Sequence, residues 1–171
     1  RDVIHRQVAH LGRLVDDLLD VSRIATGRLD LDRRRTDLAT ILDSAIESAR
    51  PLIAERGHRL EVVLPDERLD VDGDDVRLAQ VFTNLLNNSA KYTERGGSIG
   101  IAAQRRGDEV QVVVRDDGIG IAPEELPRVF DMFMQVDRPI ERRAGGLGIG
   151  LTLVRQLVEL HGGAVAARSE G

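Results

Sequence analysis

The chain has 171 residues, 42% hydrophobic and 31% charged, a balance that fits one globular domain with a substantial core plus an appendage. A net charge of −5, one tyrosine, three phenylalanines and no tryptophan speak against a nucleic-acid surface or a base-stacking platform. Cysteine is absent, which excludes disulfides and thiolate metal sites and fits a reducing compartment; no apolar run approaches the ~20 residues of a membrane span, and no stretch of these residues reads as a secretion signal.

Residues 1 to about 27 are predicted to form one helix. Ile4, Leu11, Leu18 and Ala25 recur every seventh residue, Leu14 and Val21 fall between them, and Val8 and Val15 widen the stripe. The spacing suggests one strand of a dimeric bundle over a helix packed only on its own domain, with Thr26-Gly27 as the stop. Residues 28–36 then form a charged connector, in which Arg33-Arg34-Arg35 is expected to be a solvated turn among Asp30, Asp32 and Asp37. A second amphipathic helix is predicted from Asp37 to about Arg56, buried through Leu38, Ile41, Leu42, Ala45, Ile46, Ala49 and Leu52-Ile53 and closed by Gly57. His58 to Leu64 and Arg68 to Val71 read as short strands around Pro65-Asp66.

Asp74 or Asp75 can cap a helix running to about Lys91. Ser98 to Arg106 and Glu109 to Arg115 make a hairpin with Gly107-Asp108 as its turn; Val113 breaks the alternation of its second strand, which suggests burial on both faces. Pro123 is predicted to open a short helix. Residues 134–146 read as a mobile lid, Leu147 to His161 as a helix stopped by Gly162-Gly163, and Ala164 to Ala167 as the start of a last strand.

The chemistry concentrates at three places. On the helix at 74–91, Asn84, Asn88 and Lys91 fall within about 60° of one another, and Arg77 joins the row. Leu78, Val81, Phe82, Leu85 and Leu86 form an apolar side centred well over about 100° away. Such a helix buries leucines and presents amide, amide and ammonium in a line. Asparagine carbonyls are hard oxygen ligands suited to Mg²⁺, and a lysine one turn on can meet the phosphates that share the ion. Next, a strand delivers Asp116-Asp117 into Gly118-Ile-Gly120. Alone this is an ordinary turn; beside the asparagine helix it reads as a buried carboxylate that accepts the exocyclic N–H of adenine, with glycines that let the backbone approach the ring. Last, Gly145-Gly146-Leu147-Gly148-Ile149-Gly150 follows a lid and not a strand, which excludes a dinucleotide fold, and it lacks the lysine of a P-loop. What remains is a glycine-rich helix start suited to phosphate. Arg142 and Arg143 either add positive charge there or are solvated lid charges.

These residues carry a resemblance to the catalytic ATP-binding domain of sensor histidine kinases, within the wider gyrase, Hsp90, histidine kinase and MutL group. Asn84 to Thr93 resembles the family's N box, Asp116 to Ile121 its first G box, Phe130-Asp-Met-Phe133 its F box, and Gly146 to Leu151 its second G box. Leu14 to Arg23 resembles the second helix of the dimerisation and phosphoacceptor bundle. The fold so implied is an α/β two-layer sandwich of the Bergerat type, a mixed sheet with helices on one face, over residues 37–171 and preceded by a bundle helix at 1–27. The implied ligands are ATP and Mg²⁺. Asn88 would coordinate the metal with Asn84 beside it, Lys91 would meet the phosphates, Tyr92 would lie along the nucleotide and Asp116 would read adenine beside Gly118, Gly120 and Ile121. Gly146, Leu147, Gly148, Gly150 and Leu151 would shape the phosphate end, and Phe130 and Phe133 would anchor the lid. Asn84 and Lys91 are the catalytic candidates. The implied partners are a second copy through residues 1–27, a phosphoacceptor helix and a response-regulator receiver domain, in a cytoplasmic setting that leaves the parent free to be membrane-anchored.

Position 84 also separates subclasses. Hydrolysing relatives carry a glutamate there that activates water, and asparagine cannot take that proton at neutral pH. The rival readings are an ATPase or an anti-sigma-type serine kinase on the same fold, and a dimerising scaffold that keeps a relic pocket. The family's acceptor histidine, followed by an acidic residue and Leu-Arg-x-Pro, has no match; His5, His10, His58 and His161 are expected to be structural or exposed, and the acceptor to lie upstream of Arg1. The family pattern also continues past Ser169-Glu-Gly171 into a final strand, which would leave the adenine side short. Ser89, where alanine is commonest, is expected to be buried and to bond to backbone one turn back.

Overall fold

The computed structural model of the chain describes residues 2–134 and 148–171, with side chains at position 8 and from 11 onward. Helix α1 (Asp2–Ala25) ends where Gly27 turns to φ +63. Its apolar residues divide into two rows. Leu14, Val21 and Ile24 face the rest of the chain, and Val21 is fully covered. Val8, Leu11, Val15, Leu18 and Leu19 stay 43–65% exposed. A polar bond set fixes the covered row. Arg77 donates to Asp20 Oδ2 at 2.6 Å, and Gln80 Nε2 donates to Asp20 at 3.1 Å and to Asp17 at 3.4 Å. Burial chiefly pushes the Asp17 carboxyl up, with Asp20 and Asp16 adding to it and the Gln80 bond opposing.

The connector is not purely a turn. Strand β1 (Arg34–Asp37) pairs antiparallel with β3 (Asp70–Gly73), and Arg34 and Arg35 belong to it. Their side chains are exposed and ion-paired, Arg35 with Asp70 at 2.8 Å and Arg34 with Asp75 at 3.2 Å. Ladder bonds and opposite charges hold this ribbon, so apolar alternation does not announce it.

Asp37 caps helix α2 (Leu38–Glu55) by accepting from the Ala39 N–H, and Gly57 closes it at φ +68. Strand β2 (Arg59–Val63) does not form a hairpin with β3. It pairs parallel with β4 (Ser98–Arg106), which pairs antiparallel with β5 (Glu109–Asp116) around Gly107. The result is a mixed sheet in the order β2-β4-β5, beside the separate β1-β3 ribbon. Asp74 is the cap of helix α3 (Asp75–Tyr92), and α4 (Gly150–Leu160) completes the helical layer. Ile99, Ile101 and Ala103 on the inner face of β4 pack with Leu42, Ile46, Leu86, Leu153 and Leu157 of the helices. Helices therefore cover one face of the sheet. Val113 is 39% exposed, because β5 buries only Val110, Val112 and Val114 toward the core; the strand is not covered on both sides.

Two further expectations shift. After Pro123 come a turn and a 3-10 helix at Leu126–Arg128, not an α-helix. Helix α4 begins at Gly150, three residues later than expected, and no strand forms at 164–167. Residues 165, 167 and 169 are half-buried and alternate with exposed ones, yet no ladder joins them to β5; the stretch has the burial of a strand without its backbone pairing.

Candidate functional site

Helix α3 has two faces because its leucines follow the 3.6-residue repeat while its amides follow the same repeat on the other side. Val81, Phe82 and Leu86 are buried in the core, Asn84, Asn88 and Lys91 are half-buried on the polar face, and Tyr92 is half-buried at the helix end. Arg77, at the start of the polar row, is committed to Asp20 of α1 and does not serve the same purpose as the others.

Three contacts tie this helix to the two glycine segments. At its middle, Asn84 faces the start of α4: a Cβ built on Gly150 would lie 3.9 Å from Asn84 Cγ. At its end, the Tyr92 carbonyl accepts from Ile119 N–H at 3.2 Å, and a Cβ on Gly118 would come within 2.7 Å of that carbonyl. In its last turn, Ser89 Oγ donates to Asp116 Oδ2 at 2.8 Å. Ser89 was expected to bond to backbone; the charged carboxylate at the end of β5 is the stronger acceptor. This residue was missing from the sequence-predicted site, and its one signal was a hydroxyl on an otherwise apolar face.

Asp116 is exposed, not buried, since it closes a strand with no neighbour on its outer side among the described residues. Gly118 N–H donates to its Oδ1 at 3.0 Å. Asp117 has a separate task, accepting from Ser98 N–H at 2.7 Å and so pinning the start of β4. Gly120, at φ +71, is packed against the chain end: a Cβ there would meet the Gly171 carbonyl carbon at 2.4 Å. Ile121 N–H donates to Ser169 Oγ at 2.9 Å.

The F-box residues stand at the edge of the described chain. Phe130 is half-buried, whereas Phe133 is 60% exposed at φ +63. Its N–H donates to the Gly148 carbonyl at 3.1 Å, and a Cβ on Gly148 (φ +70) would collide with the Met134 carbonyl at 2.6 Å. The two ends of the segment 135–147 are thus clasped together, and only glycine fits at 148. Leu151 is half-buried in the first turn of α4. The lid beyond Met134, with Arg142, Arg143 and Gly146, and Leu147 after it lie outside the described residues.

Histidines take structural positions where side chains are described. His58 Nε2 meets the Ala90 carbonyl at 3.0 Å. His161 joins α4 to α3, with Nδ1 on the Leu157 carbonyl at 2.6 Å and Nε2 accepting from Asp74 N–H at 3.1 Å. His5 and His10 lie outside the described side chains.

Two observations bear on a bound nucleotide and metal. The Asn84 Nδ2 is buried and has no hydrogen-bond partner among the described residues, an uncommon condition for a buried amide and one that a phosphate oxygen would relieve. The half-buried Asn84 and Asn88 bring amide oxygens to this face, hard donors that suit Mg²⁺ shared with phosphate. The residues fit the pair.

Lys91 carries an electrostatic signature. Burial pushes its ammonium below the ordinary lysine range; nearby Arg13 and Arg56 push the same way, and Asp17 partly offsets them. A lysine lowered in the folded state opposes folding while charged, so stability should rise as pH climbs from the lowered value toward 10.5. Adding an anion should reverse the shift. Titration of the Lys91 Nζ by NMR is expected to show a midpoint below 10.5 for the chain alone and a higher one with Mg-ATP. An unchanged midpoint would place the phosphates elsewhere.

The likeness to known proteins follows the same lines. Residues 73–171, more than half of the chain, match the model for the histidine kinase-, DNA gyrase B-, and HSP90-like ATPases. The histidine protein kinase DivJ of Caulobacter vibrioides is 37% identical over 98% of this chain and 28% of its own length. The signal transduction histidine-protein kinase BaeS of Escherichia coli is 36% identical over 96% of this chain and 35% of its own. The crystal structure of full-length ShkA, in complex with AMPPNP, superposes with a TM-score of 0.79 at 25% identity, covering 98% of this chain and 36% of that one. The chain thus spans about a third or less of the length of these two curated relatives. No helix among the described residues is long and apolar enough to cross a membrane. The chain belongs to the histidine kinase-, DNA gyrase B- and HSP90-like ATPase family, and its ATP-binding domain is of the sensor histidine kinase type.

Proposed function

We propose that this chain holds Mg-ATP and presents its γ-phosphoryl group to a histidine on a helix outside these residues. The observation that carries the reading is the buried, unpartnered Asn84 amide beside the first residue of α4, on a helix whose other end is bonded to the Asp116–Gly120 segment. In this reading Asn88 and Asn84 offer oxygen to the metal and Lys91 neutralises phosphate. Tyr92 lies along the nucleotide, and Asp116 accepts from adenine beside Gly118, Gly120 and Ile121. Gly148, Gly150 and Leu151 lead phosphate toward the α4 N-terminus, together with Arg142, Arg143, Gly146 and Leu147 from the segment outside the described residues. Phe130 anchors the near end of that segment. Mg²⁺, when bound, would supply charge neutralisation for the phosphate oxygens. The chain's own residues contribute position and exclude a general base: an amide stands at 84, so water is not activated and phosphoryl stays available for a partner nucleophile.

The exposed row of α1 (Val8, Leu11, Val15, Leu18, Leu19) supports a homodimer through residues 1–27, since five large apolar side chains on one helix are otherwise left in water. In this reading residues 28–36 connect that bundle helix to an ATP-binding domain over 37–171. An acceptor helix of the parent protein and a response-regulator receiver domain complete the relay, in the cytoplasm.

An assay of phosphate release separates this reading from an ATPase. The parent chain is expected to bind ATP and release phosphate slowly, and Asn84→Glu should raise release roughly tenfold or more, given that a placed general base is worth about 10²–10⁴-fold. Rapid hydrolysis by the parent chain, or release from Asn84→Glu equal to the parent's, would contradict it.

A further inference from the structure

Asp116 is held at both oxygens. Its Oδ1 accepts from the Gly118 N–H at 3.0 Å, a bond any residue in that turn would supply, and its Oδ2 accepts from the Ser89 hydroxyl at 2.8 Å. Ser89 is 6% exposed and Asp116 is exposed, so the bond joins a fixed interior donor to a carboxylate that would otherwise be held only by the Gly118 N–H of its own turn. Ser89 lies in the last turn of α3, whose own end is bonded to the same loop through the Tyr92 carbonyl and Ile119 N–H at 3.2 Å. The hydroxyl therefore sets the Asp116 rotamer from a rigid helix. A carboxylate has about four lone-pair sites. Two are occupied from the protein side, and the carboxylate is exposed, so the others are open to a donor.

We propose that Ser89 is a positioning residue for base recognition: by bonding to Asp116 it orients that carboxylate to accept the exocyclic amine of a 6-aminopurine. The inference deepens the ATP reading and rests on it. Binding an amine with a pre-set carboxylate avoids the loss of side-chain freedom that a mobile one must suffer on binding. A guanine base offers a carbonyl oxygen at that position, which a fixed carboxylate repels. Ser89 thus adds to selectivity as well as to affinity. Alanine at this position keeps the helix, because it is the better helix former and smaller than serine.

The test uses the full chain and two nucleotides, ATP and purine riboside triphosphate, which lacks the 6-amino group, each titrated with Mg²⁺ by calorimetry. Ser89→Ala is expected to weaken ATP about three- to tenfold, within the range for ordering one side chain. Purine riboside triphosphate should bind the variant and the parent chain alike. In an Asp116→Asn background, Ser89→Ala should change ATP affinity little further, since the serine acts through the carboxylate. A packing defect would behave differently: it would weaken both nucleotides equally and add to Asp116→Asn. Equal weakening of both nucleotides, or full ATP affinity in Ser89→Ala, overturns the role of Ser89 and leaves the ATP reading intact. No ATP binding by the parent chain overturns that reading and this inference together.

Discussion

Leu86→Ala should destabilise the chain by about 3–5 kcal/mol, the upper part of the range for a leucine lost from a tight core. Leu86 is fully buried between the helices and the inner face of the sheet. It also lies two residues from both Asn84 and Asn88, so the same helix turn that packs the core aims the amides. For a chain of this length the loss corresponds to a fall in Tm of roughly 10 °C or more. Saturating Mg-ATP should return part of it, about 2.7 kcal/mol at a hundred times Kd, if the polar face of α3 is the nucleotide's seat. Thermal melts with and without nucleotide measure both. A loss below 1 kcal/mol would mean that the core closes over the gap, and an absence of ligand rescue would detach binding from α3.

Asn88→Ala should spare the fold and remove Mg²⁺-dependent ATP binding. The side chain is half-buried on the polar face, and alanine favours the helix, so stability should change by less than about 1 kcal/mol. Its effect on the metal should be at least the roughly 10–100-fold that loss of even an outer partner costs a metal site. Calorimetry with a non-hydrolysable ATP analogue, with and without Mg²⁺, gives the comparison. If the parent chain and Asn88→Ala gain equally from Mg²⁺, the ion is held by other groups.

The two predictions show which parts of the molecule its sequence discloses. The division of α3 into a leucine face and an amide face is legible because both follow one helical repeat, and the structure keeps it except at Arg77. That arginine falls in the right row but is taken by Asp20 of α1, a partner 57 residues away that no local pattern announces. Caps and glycine stops are equally local, and Asp37, Asp74, Gly57, Gly107 and Gly162 stand where turn chemistry requires them. Strand β1 was hidden because it is a charged ribbon without alternation, held by β3 and by Arg35–Asp70. Residues 164–167 show the reverse: the alternation of a strand is present, and the ladder is not. Within the site, Asn84 lies near Gly150 and the Tyr92 carbonyl near Gly118, neighbours far apart in sequence that only the fold brings together. The Ser89–Asp116 bond was not foreseeable, because a buried hydroxyl can turn to its own helix or to any acceptor that the fold brings near.

One measurement asks directly whether the amide face and the two glycine segments serve a single ligand. The chain, labelled with ¹⁵N, is titrated with a non-hydrolysable ATP analogue and Mg²⁺ while backbone amide shifts are followed. Amides at Asn84 and Asn88, at Gly118 and Gly120, and at Gly148 and Gly150 should move together and saturate with one Kd. Movement confined to one of the three groups, or separate midpoints for them, would mean that no one nucleotide touches them all.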